Sequence, residues 1–353
     1  SEWDAAVEEQ RNLTDRARVM DDEIVTDHIS GELDKLDEWD FDMVGFAELT
    51  NFKPLLFVGM ACFEHYEWGT HFSVERFRMR EFLVRLEQSY VRSRPYHNST
   101  HGADTLHAMH YFINTCGLSR LTNKLEVLAL MVGAAAHDAN HTGTNNAFLV
   151  ATQAELAITY SDRSVLEMHH LRTLFNILVR PDCNIIMALD ADDRRAFRKL
   201  VIELVLATDM GNHFEILSVF KTKIMGKELD AEDDECKTLI LRMAMKAADV
   251  SNPAKSMKTH DVWTDRYVEE TYRQGDQERA LGLPISPFMD RERPATPKAE
   301  VGFFQFIVVP LWENWAAVPS LSLDSLAKQV SMNHYEWKRR LGQEEETRKP
   351  AKA

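Results

Sequence analysis

Apolar residues in this chain recur every three or four positions and almost nowhere every second one. Leu125, Leu128, Ala129, Val132 and Ala136 follow that spacing, as do Phe57, Met60, Ala61 and Glu64, and Phe82, Leu83 and Leu86. A period near 3.6 predicts helices, and the scarcity of alternation predicts few strands. Asn123, three residues before Glu126, has the form of a capping box at a helix start. Breaks are expected at Arg94-Pro95, Arg180-Pro181-Asp182, Ser251-Asn252-Pro253, Gly282 to Pro297 and Val318-Pro319-Ser320. The pattern therefore predicts an all-α domain of ordinary helices following one another from Phe46 to about Leu341. No internal repeat and no convincing linker divides it. The stretch from Gly282 to Pro297 is the longest irregular one, and loops of that length are often functional.

Three regions are expected. Residues 1–45 are an acidic lead-in whose charge reads as a solvated face, residues 46–341 are the folded domain, and residues 342–353 are a charged, disordered tail. The first residue is Ser1 rather than Met, and the chain is read as a piece of a longer protein. With 353 residues and 44% hydrophobic content it is globular and can bury a large core. A net charge of -15 argues against nucleic acid as a partner. An anionic substrate stays open, because a bound metal can reverse the local field. Cys62, Cys116, Cys183 and Cys236 are far apart, which suggests reduced thiols and a cytoplasmic setting. The longest apolar run, Val127 to Ala136, is shorter than the ~20 residues of a membrane helix, and no signal peptide is visible. No membrane contact through this domain is expected.

The candidate chemistry sits at helix ends. Leu130, Ala134, His137 and His141 share one face at helical spacing, so two histidines and Asp138 close an otherwise apolar segment. A buried carboxylate beside imidazoles is costly unless a cation compensates it. A lone histidine there would more often be a satisfied core residue. Three other stretches are of the same kind: His97 and His101 directly after Pro95, Thr208 with Asp209 in an apolar helix, and Asp249 at the end of the face Leu241, Met245, Asp249. Each alone has a plain structural explanation. Together His101, His137, Asp138 and Asp249 supply two imidazoles and two carboxylates, a set that can hold one divalent ion while Asp138 bridges to a second.

These stretches, taken in order, resemble the class I 3',5'-cyclic nucleotide phosphodiesterases. The likeness is carried by Tyr96-His97-Asn98-x-x-His101, His137-Asp138-x-x-His141-x-Gly143 and Ser164-Val165-Leu166-Glu167-x-His169-His170. It continues through Ala207-Thr208-Asp209-Met210, Ala248-Asp249-x-Ser251-Asn252-Pro253, Trp263-Thr264-Asp265-Arg266, Arg273-Gln274-Gly275-Asp276, and Val301-Gly302-Phe303 with Pro310-Leu311-Trp312. It runs from about Leu36 to Trp337, with a fainter likeness to the kinetoplastid members. The resemblance implies a compact bundle of about sixteen helices around one deep pocket. By residue-wise carry-over, His101, His137, Asp138 and Asp249 would hold a tight Zn2+, and Asp138 would bridge to Mg2+ or Mn2+. His141, Glu167 and Thr208 would orient the waters of the second ion. Two metals would acidify a bridging water, the resulting hydroxide would attack phosphorus in line, and His97 would protonate the leaving O3′. The base would lie against Phe303, with Tyr96, Asn252, Trp263, Tyr267 and Phe288 lining the pocket. A homodimer is left open.

The sequence departs from the family pattern at three places. Glu300 stands where the family usually has glutamine, Thr142 where many members have proline, and Lys246 where many have histidine. Glu300 bears on base recognition and should leave the bond-breaking chemistry intact. Two other functions compete with cyclic nucleotide hydrolysis. One is another metal phosphohydrolase of the wider His-Asp superfamily, against which the Trp263 to Asp276 and Val301 to Trp312 segments argue. The other is a nucleotide-binding regulatory module without catalysis, although His97 and all the metal ligands are present.

Overall fold

A computed structural model describes residues 26–348. Residues 1–25, most of the expected lead-in, and 349–353, the end of the expected tail, lie outside the described residues. All regular structure among the described residues is helical. The order is α1 (Asp27–Leu33), α2 (Met43–Leu49), α3 (Pro54–His65), α4 (Trp68–Phe72), α5 (Arg76–Ser89), α6 (Ser99–Asn114) and α7 (Lys124–Ala136). Then come α8 (Asn146–Ala151), α9 (Glu155–Thr159), α10 (Val165–Leu178), α11 (Ala191–Leu206), α12 (His213–Gly226) and α13 (Asp234–Asp249). The chain ends in α14 (Met257–Ala280), α15 (Thr296–Phe303), α16 (Val309–Ala316) and α17 (Asp324–Arg348). A π-helical turn, Phe304–Val308, joins α15 to α16. Counted as one rod, these two bring the described α-helices to sixteen, in line with the all-α bundle expected.

The centre of the molecule is α7. The Asn123–Glu126 capping box forms in both directions, and every residue from Val127 to Ala136 is buried. A helix apolar all round must be surrounded, and α7 is packed between α6 and α11. Small residues allow the close approach to α6: a Cβ at Gly102 would lie 2.7 Å from the Tyr90 hydroxyl and 3.2 Å from the Ala135 carbonyl oxygen. That same hydroxyl donates to the Ala135 carbonyl at 2.8 Å and staples α5 to the end of α7.

Residues 27–45 are part of this core. Ile29, Leu36, Phe41 and Met43 join the main cluster, and Trp39 stacks on Phe112 and donates to the Ala254 carbonyl at 2.9 Å. At the other end α17 continues past Leu341 to Arg348. The run Gln343 to Glu346 contains good helix formers, so its charge does not end the helix. No described helix is long and apolar enough to cross a membrane. A fully buried ion pair, Lys255 Nζ to Asp104 Oδ1 at 2.5 Å, ties the turn after α13 to α6. It fixes the two elements that carry Asp249 and His101.

Candidate active site

Three helix termini converge. His101 lies in the first turn of α6, whose N-cap Asn98 accepts from the Thr100 amide. His137 is the C-cap of α7, and Asp249 is the last residue of α13. Their ligating atoms meet within 4.8 Å of one another, together with a carboxylate oxygen of Asp138. His101 Nε2 is 3.1 Å from Asp249 Oδ1, and His137 Nε2 is 3.1 Å from Asp138 Oδ2 and 3.2 Å from Asp249 Oδ1. Nδ1 of His137 donates to the Ala134 carbonyl at 2.9 Å, so Nε2 is the atom presented to the group.

The electrostatics of the four residues point to a cation. Burial alone would raise the Asp138 and Asp249 carboxyls, yet His137 and His101 hold both well below the usual range. Burial alone would lower His137, yet the two carboxylates drive it well above its ordinary value. Paired carboxylates that pull protons on to buried imidazoles lack positive charge. Two imidazole nitrogens and two carboxylate oxygens are also the donor types that zinc accepts. The group could therefore hold a metal.

Two further arrangements border it. His170 donates from Nδ1 to the Ala139 carbonyl at 2.8 Å and turns Nε2 toward Asp138 Oδ1 at 3.5 Å. His97 lies before the N-cap of α6, outside the helix, so it does not share a helical turn with His101. Its Nδ1 is 2.5 Å from Glu270 Oε1, and its Nε2 faces Asp138 Oδ2 at 3.9 Å. The backbone amides of Tyr96 and His97 both donate to Glu270 Oε2. Burial by itself would lower His97, but Glu270, Asp138 and Asp249 outweigh it and hold the imidazole at about 9. His141 stacks on His97 with ring centroids 3.9 Å apart. His141 is not on the α7 face that the spacing suggested. The helix ends at Ala136, Asn140 takes a left-handed φ of 64°, and His141 sits in the loop beyond, where its Nδ1 accepts from the Gly143 amide.

Glu167 lies in the first turn of α10 and accepts from the Asn146 amide at 3.0 Å. Burial, then Asp209, pushes its carboxyl up to about 7. Thr208 lies just past α11 rather than inside it, because Ala207 is the C-cap. Lys246 fixes this turn by donating to the Ala207 carbonyl at 2.9 Å. Ser164 Oγ donates to Asp209 Oδ2 at 2.7 Å and joins the turn to the start of α10.

Residues 96–330 match the family described as 3'5'-cyclic nucleotide phosphodiesterase. The chain belongs to that family. It is 35% identical over 319 residues to the mouse protein "3',5'-cyclic-AMP phosphodiesterase 4C", a match covering 88% of this chain and 46% of that protein. The rat protein of the same name gives the same identity and covers 59% of its own length. The Caenorhabditis elegans "Probable 3',5'-cyclic-AMP phosphodiesterase pde-4" is 35% identical over 327 residues, 90% of this chain and 48% of that protein. The chain thus spans about half the length of the curated relatives it matches.

In this phosphodiesterase chain two members of the cluster, Asp138 and Asp249, line a cavity of about 600 Å³, with His101 and His137 behind them. His97, His141, Glu167 and Thr208 line the cavity, as do Tyr96, Asn252, Trp263, Tyr267, Glu300 and Phe303. Phe288 is not in the wall. It is 49% exposed, and its neighbour Met289 takes the place in the lining. Gly275 permits this, since a Cβ there would lie 1.8 Å from the Met289 carbonyl oxygen.

The sequence reading did not single out Glu270 or His260, and it quoted His170 without a role. A signal existed for the first two. His260, Trp263, Tyr267, Glu270 and Gln274 share one face of α14 at helical spacing, and all line the cavity. His260 is buried in a fixed network. Its Nε2 accepts from Trp337 Nε1 at 2.9 Å, so the proton sits on Nδ1, which donates to Asn252 Oδ1 at 2.8 Å. Glu300 Oε2 lies 3.6 Å from that same Nε2 and has no hydrogen-bond partner.

Proposed function

We propose that this chain hydrolyses 3',5'-cyclic nucleotides, cAMP foremost, to nucleoside 5'-monophosphates. The observation that carries the reading is the four-residue cluster at the cavity with the His97–Glu270 pair beside it. The curated relatives named for cyclic AMP support the substrate class.

His101, His137, Asp138 and Asp249 would hold the tighter ion, taken to be Zn2+, and Asp138 would reach a second, Mg2+ or Mn2+. The metals, when bound, supply Lewis acidity and an acidified water. His141, Glu167, Thr208 and His170 orient groups around Asp138. Glu270 accepts the Nδ1 proton of His97 and leaves Nε2–H directed at Asp138. Protonated His97 is then placed to give a proton to the leaving O3′. Trp263 and Tyr96 pack against this end, and Phe303 offers a face for the purine.

Glu300 faces the base. An ionised carboxylate offers acceptors only, whereas adenine presents an N6–H donor beside an N1 acceptor. The acid form of Glu300 has one donor and one acceptor, and so reproduces the hydrogen bonds of an amide. No lysine or arginine pairs with Glu300 among the described residues, and His260 carries its proton on the far nitrogen. A cytoplasmic setting agrees with four separate free cysteines.

Steady-state kinetics on cAMP, cGMP and a noncyclic phosphodiester, with defined metals, tests the reading. Turnover of the cyclic substrates is expected. Activity confined to noncyclic nucleotides would point to another phosphohydrolase, and binding without turnover to a regulatory module.

A further inference from the structure

Outside the first cavity, and sharing no lining residue with it, α5, α10 and the loop after His137 line a second recess of about 450 Å³. Its wall includes Arg85, Arg172, Arg180, His169, Asn140 and Asn176, and no aspartate or glutamate. In a chain of net charge -15 that concentration of guanidinium groups is unusual. Like charges gathered in one recess repel unless something compensates them. Arg180 has a partner outside the wall, Asp182 at 3.5 Å. Among the described residues Arg172 makes no ion pair, and Arg85 Nε is shielded from solvent without any hydrogen-bond partner.

His169, also in the wall, has a donor without an acceptor. The Asn140 amide meets its Nε2 at 2.9 Å, which puts the imidazole proton on Nδ1. That Nδ1 is buried and has no partner either. The recess therefore combines two arginines free of carboxylates, a third held at its edge, and an N–H without an acceptor. Planar guanidinium forks match the oxygens of a phosphate group, and guanidinium is the weakly hydrated cation that gives up water for such a contact.

We propose that this recess binds the phosphate group of a small soluble anion, either inorganic phosphate or a phosphate monoester. The site is separate from the cavity in which the cyclic nucleotide is hydrolysed. Asn140 and His169 stand one or two residues from Asp138 and His170, so nearby residues of the same two segments line the two sites.

The test is equilibrium dialysis of the metal-loaded full chain against labelled inorganic phosphate. The readout is the difference between parent and variant, so phosphate bound at the metals cancels. The parent should bind one phosphate more than Arg172→Glu, whose side chain is exposed and whose loss leaves folding and turnover of cAMP unchanged. Arg85→Gln should weaken the same phosphate by roughly tenfold or more. Competition with unlabelled AMP separates the two sources. Displacement of the additional phosphate assigns the site to monoesters, and its retention assigns it to inorganic phosphate. Equal phosphate counts in parent and both variants would overturn the proposal, as would sedimentation with phosphatidate vesicles in place of phosphate uptake.

Discussion

His97 Nδ1 lies 2.5 Å from Glu270 Oε1 across the gap between the segment before α6 and the middle of α14. One carboxylate thus fixes the ring, and its other oxygen receives the amides of Tyr96 and His97. The arrangement sets both the direction and the charge of His97. In the proposed mechanism the protonated form is the working one. Without metal its pKa is raised to about 9 because Glu270, Asp138 and Asp249 outweigh burial. Bound cations would offset the two aspartates and leave Glu270 as the main support, so turnover should fall as pH rises, and from a point below that value. Glu270→Gln removes the nearest of those charges. The fall should then begin at lower pH, and kcat should drop on the order of 10–100-fold, the scale of an orienting partner. His97→Asn should cost more, ~10²–10⁴ in kcat, with metal content near normal. A pH profile of Glu270→Gln that superimposes on the parent's would count against this role.

Asp138 and Asp249 should be needed for metal and for turnover together. Asp138→Asn or Asp249→Ala is expected to lose bound metal, measured by elemental analysis of the dialysed protein, and to abolish activity. Full metal content with full activity in either variant would remove the four-residue assignment.

Glu300→Gln should bind cAMP more tightly by roughly 1–2 kcal/mol, the scale of one hydrogen-bond mismatch. The amide supplies a donor and an acceptor without needing a proton from solution. The comparison is KM for cAMP and cGMP in the two proteins, with kcat little changed. Identical KM values would mean that residue 300 does not read the base.

Gly275 should tolerate no side chain. The Met289 carbonyl oxygen occupies the position of its Cβ, so Gly275→Val must push the loop between α14 and α15 away from the cavity. Thermal unfolding is expected to show a loss of about 1–3 kcal/mol, as for other overpacked sites. KM should rise because Met289 leaves the wall. An unchanged melting temperature would mean that the loop is not held there.

The parts of this fold that the sequence displayed are those whose signals are local. The Asn123–Glu126 capping box marked the start of α7 to the residue, and the apolar run behind it marked its body. Of the four metal-binding candidates, His137, Asp138 and Asp249 were legible as polar groups closing an apolar face, and His101 by its spacing from His97 directly after Pro95. Helix ends were harder to read. Glu67, Ser73, Gln153, Ser164 and Lys227 take positive φ at breaks that carry no glycine or proline at the turning residue, and tertiary packing sets them there. The same blindness placed His141 and Thr208 on helices that stop before them. Glu270 escaped notice for a different reason. Its partner is 173 residues away in sequence, and only the packing of α14 against the start of α6 brings the two together.

The central claim is that this cavity opens the P–O3′ bond of a cyclic phosphodiester. Phosphorus NMR of cAMP turnover in 18O-labelled water by the metal-loaded chain tests it directly. The account predicts 5'-AMP with one labelled oxygen on phosphorus. Formation of 3'-AMP, or no product at all from the metal-loaded protein, would contradict it.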